Sequence, residues 1–393
     1  MVSGSLWKHA VAGTAVILGL APAAESAADY VSEAVTAIGA LNTNWYKKDT
    51  GLWNAAWWNS GNALTTLADF TILQREQANK LNIGGIIENT YTNAQKVSVQ
   101  TTKTRAADGL ITTQDCLNCT SASKRRFLRV RGFDNFLNEY YDDEGWWALG
   151  LIHAYDATGT EKYLDSAVEI FADMQTGKGT PCNGGIYWSK DRSYVNAIAN
   201  ELYLSVAAAL ANRKSSRQYL QIAQSQWNWF WNSGMINSQW LINDGLDSSC
   251  KNNGLTTWSY NQGVVLGGLV ELFYASGNRT YINIARNIAN AAIEALSNGD
   301  GILVEADHCE LQNGHCGMDG QQFKGIFVRN LRYLNAVVYD PNYSAFIKRN
   351  ADSIWSKDRS QDNRLGVAWT GPYVTATGPS HSSALDCLVA ALA

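Results

Sequence analysis

At 393 residues, with 31 basic against 35 acidic side chains, the chain has a formal charge of −4 and can bury a large core. It has no basic stripe able to track a nucleic-acid backbone: the longest positive run, Lys124-Arg125-Arg126, is short and isolated and reads as a solvated loop. Fifteen Trp and eighteen Tyr against only five Pro point to a helical, folded chain with more aromatics than packing requires.

The N-terminus reads as an export leader. Lys8 and His9 precede an apolar run from Ala10 to Leu20, too short to span a bilayer, and small residues continue through Ala28. We therefore expect a removed leader over 1–28 and one domain over 29–393, secreted and acting as a monomer. No other stretch is apolar enough for a membrane span. The C-terminal segment Leu385 to Ala393 is interrupted by Asp386, falls short of a lipid-anchor tail, and reads as a last amphipathic helix.

Apolar residues at helical spacing then run through Tyr30, Val31, Val35, Ile38 and Leu41, and again from Trp57-Trp58 through Leu64, Leu67, Phe70 and Leu73. A third helical stretch is expected over about Ile83 to Val99, and residues 104–123 read as a polar loop. Export alters the reading of the seven cysteines. Cys116-Leu117-Asn118-Cys119, His308-Cys309 and His315-Cys316 could hold zinc in a reducing compartment, but in an oxidising one they predict disulfides. The number is odd, so at least one thiol has no partner within the chain, and the connectivity stays open. Three sequons, at Asn118, Asn278 and Asn342, suit the same compartment.

From residue 160 onward the chain repeats. Tyr163-Leu164, Tyr219-Leu220, Tyr281-Ile282 and Tyr343 each follow a short turn and open an amphipathic helix, at intervals of roughly 60 residues. Long Ala- and Leu-rich helices precede these turns, as in 197–212 and 263–275. Long Gly-, Asn- and Trp-rich loops separate the units, over 177–193, 233–257 and 298–321. About twelve candidate helices make six hairpins, and no strand-like alternation is long enough for a sheet core. Six hairpins closed into a ring leave no unpaired end, so an all-α toroid in one domain is expected, with an open solenoid as the alternative. Because the long loops all fall at one end, the functional cleft is expected there.

The chemistry centres on Tyr140-Tyr141-Asp142-Asp143-Glu144-Gly145-Trp146-Trp147. Asp142 and Asp143 could simply satisfy a helix N-terminus. Two consecutive Trp, however, diverge by about 100° around a helix, so at least one is free to form a flat platform beside the acids. Paired carboxylates and an aromatic platform are what cleavage of a glycosidic bond needs: one acid ionised, the other able to hold a proton.

These strings resemble glycoside hydrolase family 76, the endo-α-1,6-mannanases, and in particular its fungal members. The resemblance rests on Trp57-Trp58 with Asn62-Ala63-Leu64, on Tyr140 to Leu149, and on Gly184-Gly185-Ile186-Tyr187-Trp188. It continues through Asn196 to Leu202, Leu241-Ile242-Asn243-Asp244-Gly245-Leu246, Trp258-Ser259-Tyr260-Asn261-Gln262-Gly263 and Phe323-Lys324-Gly325-Ile326-Phe327. It implies an (α/α)6 barrel, which agrees with the hairpin count, and retaining hydrolysis of α-1,6-linked mannan with Asp142 as nucleophile and Asp143 as acid/base. It further implies that Asp244 bonds sugar hydroxyls, although Asn-Asp-Gly is also a turn former. Asn62 and Trp146 join the expected substrate-binding set. Trp188, Tyr260 and Gln262 sit where loops meet helices and read as cleft-lining. Asn196, with Asn200 and Glu201, either bonds sugar or caps the barrel wall. Lys324 and Arg329 read as structural ion pairs and His153 as a packing histidine. No cofactor or metal is called for, and no EF-hand-like spacing occurs.

Three alternatives remain open on the sequence. One is a transglycosylase of the same family acting on cell-wall glycan; such relatives are usually lipid-anchored, which favours hydrolysis here. A prenyl-diphosphate toroid would need a third Asp where Trp146 stands. A non-catalytic mannan-binding protein would not need the acid pair.

Overall fold

The computed structural model describes residues 27–54, 56–106, 110–117, 135–312 and 316–393. The leader expected over 1–28 therefore lies outside the described residues, apart from Ala27 and Ala28, as do Asn118 and the basic run at 124–126. Thirteen α-helices are described. Six of them, α2 (Trp57–Leu73), α5 (Tyr141–Thr158), α7 (Ala197–Arg213), α9 (Ser259–Ser276), α11 (Gly317–Val337) and α13 (Gly378–Ala390), are buried nearly all round, and each packs on the next. The last, α13, returns to α2, so the ring closes. A helix with no polar face belongs in an interior, and α7 shows why: residues 197–211 are all buried. The outer layer is α1 (Ala27–Trp45), α4 (Ile83–Ala94), α6 (Glu161–Met174), α8 (Arg217–Asn232), α10 (Thr280–Ala295) and α12 (Pro341–Lys357). These carry one apolar stripe each. In α6 it is Tyr163, Leu164, Ala167, Ile170, Phe171 and Met174, and the four repeat tyrosines each open one of these outer helices. The short α3 (Arg75–Lys80) bridges α2 and α4.

All inner helices run in one direction. Their C-termini meet the outer helices through short turns at 159–160, 214–216, 277–279 and 338–340, and Gly159 and Gly277 take the left-handed conformation that stops α5 and α9. Their N-termini gather at the opposite end beneath the long loops, which is the mouth.

Four mouth loops are pinned by polar side chains. Four loops begin with an isolated antiparallel bridge: Lys178–Ile186, Ile236–Ile242, Ser297–Leu303 and Arg359–Leu365. The fourth residue of the following inner helix often holds the second bridge residue by its backbone. The Asn200 amide accepts from Ile186 N–H and donates to its carbonyl (2.8 and 2.9 Å), and Gln262 does the same to Ile242 (2.8 and 2.9 Å). His381 Nδ1 accepts from Leu365 N–H (2.9 Å). Disulfides Cys182–Cys250 and Cys309–Cys316 tie the same loops, Cys116 is also disulfide-bonded, and Cys387 is a buried free thiol. Among the described residues, five of the cysteines are thus disulfide-bonded, as the oxidising reading expects.

Two expectations need correction. The third helix ends at Ala94, not near Val99, and part of the expected loop is a β-hairpin, β3 (Val99–Arg105) with β4 (Ile111–Leu117), paired from Val99–Leu117 to Arg105–Ile111. β1 (Tyr46–Lys47) and β2 (Leu52–Trp53) form a second, minimal pair. The long hairpin is hard to see in the sequence because its inward residues are mainly Thr101, Lys103 and Thr113, not apolar ones. Its inner face covers a polar mouth, not a hydrophobic core. Among the described residues, no helix is long and apolar enough to cross a membrane.

Candidate active site

Helix α5 brings three carboxylates, Asp142, Asp143 and Glu144, into its first turn, where the free N–H groups and the positive dipole end favour negative charge. Tyr140 enters in extended conformation, and Tyr141 N–H donates to the Trp188 carbonyl (2.9 Å), docking the 178–196 loop beside the acids. α5 can lie close to α2 because Gly150 has no Cβ: one placed there would come within 2.7 Å of the Gly61 carbonyl. The two tryptophans diverge as helical spacing requires. Trp146 stacks on Trp58 (5.7 Å between centroids) and Trp147 packs against Trp57 and Phe136; both indoles are buried, so neither is the free platform expected from the sequence.

The acids share one cation. Lys103 Nζ, on the hairpin, stands 3.2 Å from Asp142 Oδ2 and 2.5 Å from Asp143 Oδ1. Asn138 Nδ2 donates to the other Asp143 oxygen (2.6 Å). Asp142, Asp143 and Lys103 are buried, their side chains 6 %, 1 % and 3 % exposed. Burial pushes the Asp143 carboxyl well above its ordinary range and the charges of Asp142 and Asp115 add to the push, while Lys103 opposes it. Burial alone would lower the Lys103 ammonium, but Asp142 and Asp143 hold it above its usual value. Asp319, which accepts from Trp58 Nε1 (2.8 Å), is pushed up to about 6, chiefly by burial.

The remaining expected residues fall into two groups. Trp188 packs on Tyr140 (5.0 Å), with Lys103 Nζ 4.7 Å from the Tyr140 ring and 5.7 Å from that of Trp188. Tyr260 stacks on Phe323 (3.8 Å), and burial with the charges of Asp244, Asp142, Asp319 and Glu201 raises its phenol well above the ordinary value. Asp244 accepts from the Tyr194 hydroxyl, whose ring lies under Arg105 (4.0 Å). These side chains surround the acid pair electrostatically or by contact. The others are engaged elsewhere. Asn196 Oδ1 caps α7 by accepting from Ala199 N–H (3.3 Å). Gln262, expected to line the cleft, spends its amide on the backbone of Ile242 and Trp258. Asn62 Oδ1 accepts from Arg329, which also pairs with Asp386 (3.0 Å) in the barrel wall. Lys324 pairs with Glu310 (2.8 Å), and His153 bonds Asp69 (2.8 Å) while stacking on Tyr333, so these three are structural as read.

Sequence reasoning missed Lys103, Asn138 and Asp319. Lys103 lies on a strand of mostly polar residues, Val99-Gln100-Thr101-Thr102-Lys103, which carries no apolar alternation. Nothing local marks the other two.

A closed ring of six helical hairpins with an acid pair sunk at its mouth defines an (α/α)6 barrel. The chain belongs to glycosyl hydrolase family 76, which it matches over residues 24–393. It is 26% identical over 213 residues to the mannan endo-1,6-α-mannosidase DCW1 of Candida albicans, a match covering 50% of this chain and 47% of that protein. A putative mannan endo-1,6-α-mannosidase of Schizosaccharomyces pombe is 28% identical over 207 residues, 49% of this chain and 46% of the relative. The matched part thus spans about half the length of these relatives. Among solved structures, Dfg5 of Chaetomium thermophilum in complex with glucosamine superposes with a TM-score of 0.74 at 16% identity, covering 94% of this chain and 91% of that one. An inactive variant of the α-1,6-mannanase of Salegentibacter sp. HEL1_6, with α-1,6-mannotriose, gives 0.71 at 16% identity, covering 93% and 99%.

Proposed function

We propose that this chain is a secreted, endo-acting, retaining glycosidase that cleaves α-1,6-mannosidic bonds of mannan, with Asp142 as nucleophile and Asp143 as acid/base. One observation carries the mechanism. Two carboxylate oxygens that share an ammonium at 3.2 and 2.5 Å lie less than about 6 Å apart, a closeness that accommodates the ~5 Å spacing of retaining enzymes. Asp142 attacks the anomeric carbon while Asp143, whose burial favours the protonated form, donates to the departing oxygen. The covalent mannosyl intermediate is then released by a water that returns its proton to Asp143. The names of the curated relatives support the substrate, and the inactive Salegentibacter variant, altered at two consecutive aspartates, supports the pair. Trp146, Trp188, Tyr260 and Asp244 are the side chains we assign to sugar contact. Secretion rests on the leader-like N-terminus and the disulfides.

Transfer to a sugar hydroxyl in place of water is the second reading. It differs from hydrolysis only in the acceptor, since a sugar hydroxyl bound beside the mannosyl-enzyme competes with water for the same bond. The test is the first product from unbranched α-1,6-mannan. Retained α-anomer as free oligomannoside supports hydrolysis, elongated chains support transfer, and β-anomer refutes the mechanism. Asp142→Asn and Asp143→Asn should each lower kcat by more than about 1000-fold. Near-wild-type turnover in either would remove that residue from its role.

A further inference from the structure

The reaction requires a hexose whose anomeric carbon approaches Asp142 and whose leaving oxygen meets Asp143, within about 3–3.5 Å of each. That place is taken. Lys103 Nζ sits between the two carboxylates, and its approach runs over the Tyr140 and Trp188 rings, the flat surfaces a sugar would use. Nor is the side chain a stray surface group: it is 3 % exposed and sits on a hairpin fixed at several points. Lys103 N–H donates to the Tyr140 hydroxyl (3.2 Å), Asp115 accepts from Trp57 N–H (3.0 Å) and from Thr101 (2.7 Å), and Arg105 lies over Tyr194.

We propose that the β3–β4 hairpin is a self-inhibiting cover with Lys103 as its plug, so that the glycan reaches Asp142 and Asp143 only when the hairpin lifts and withdraws the ammonium. This rests on the glycosidase reading above. The way the hairpin is held makes lifting feasible. Only Val99 and Ile111 among its apolar side chains are buried, Leu110 and Leu117 being partly so, and the described remainder of its hold is hydrogen bonds, the two ion pairs of Lys103 and the Arg105–Tyr194 contact, with Cys116 of β4 disulfide-bonded. Sugar hydroxyls can replace polar contacts of that kind at little net cost, whereas a hairpin packed on a hydrophobic face would lose its burial outright. The plug also blocks chemistry directly: while Lys103 Nζ stands between the two carboxylates, neither the anomeric carbon nor the leaving oxygen can come within reach of them. Apparent affinity for glycan is then the intrinsic affinity reduced by the fraction of molecules with the hairpin raised.

The test pairs kinetics with a readout that needs no turnover. With α-1,6-mannotetraose as substrate, Lys103→Ala and Lys103→Met should each lower KM by about tenfold and leave kcat within about threefold of wild type. In the wild-type chain saturated with thio-linked α-1,6-mannotetraose, backbone amides of Val99–Arg105 should exchange faster than in the free protein. A fall in kcat beyond about 100-fold in both variants, or hairpin amides that keep or gain protection on binding, would overturn the plug and make Lys103 a fixed part of the site. Cleavage by the wild type with a hairpin that stays shut sinks the plug alone. Absence of both cleavage and binding in every chain sinks the glycosidase reading and the plug with it.

Discussion

Asp142 and Asp143 are neighbours in sequence, yet their surroundings divide them. Asp143 is the deeper, bound by Asn138 and pressed by the charges of Asp142 and Asp115. Lys103 is the cation that opposes this. Removing it as Lys103→Met should raise the Asp143 carboxyl further. An acid must hold its proton to act, so activity is lost as pH rises through its pKa, and the alkaline limb of kcat/KM against pH should move to higher pH. An unmoved limb would mean that Asp143 is not the proton donor. That Asp142, Asp143 and Trp146 share one helix start was legible because the message is local: three residue types within five positions. Lys103 was not. It lies about 40 residues upstream on a strand whose inward positions are threonines, so hydrophobic alternation is silent there.

Among the elements, the outer helices were read from their tyrosine-led stripes, and the inner ones from being apolar throughout. The loop pins were the harder part. Gln262 sits at a loop–helix junction, which suggested an outward side chain, but the same position suits an amide that turns back to satisfy Ile242. Asn196 caps α7 through Oδ1, which leaves its Nδ2 for the sugar reading, and Asn196→Ala should cost about 1 kcal/mol in urea unfolding. His381 provides a pH signature. Burial depresses it to about 4, with Nδ1 accepting from Leu365 and Nε2 facing the Ala37 carbonyl (2.8 Å). An unfolded histidine takes its proton near pH 6.5 and this one near 4. Its contribution to stability is therefore present above about pH 6.5 and lost as pH falls toward 4, about 3 kcal/mol in all. The buried carboxyls with raised pKa act in the opposite sense, so the effect is read as the difference between wild type and His381→Gln across that window. Equal slopes for the two proteins would contradict it.

For the whole molecule, the count of hairpins was legible and the closure of the ring was an inference from it, since only contacts between the first and last units can close a ring. Those contacts are charged as well as apolar. Arg329 of α11 pairs with Asp386 of α13 and donates to Asn62 of α2, so one buried guanidinium joins the three helices at the seam. Asp386→Ala would leave that charge buried without its counterion and should destabilise the fold by about 3–5 kcal/mol, measured by chemical unfolding. A loss below about 1 kcal/mol would show that the seam is held by its apolar contacts instead.

The single direction of the inner helices makes the two faces of the ring unequal in evolution. On the far face, turns as short as 159–160 and 338–340 have no slack, and an added residue there would rotate an entire hairpin out of register. On the near face the four loops that begin with a bridge are long, separately pinned excursions that can lengthen, shorten or be exchanged while the scaffold stays still. Descendants of this chain can therefore acquire a new glycan preference by rewriting one excursion at a time, without first solving the folding problem again.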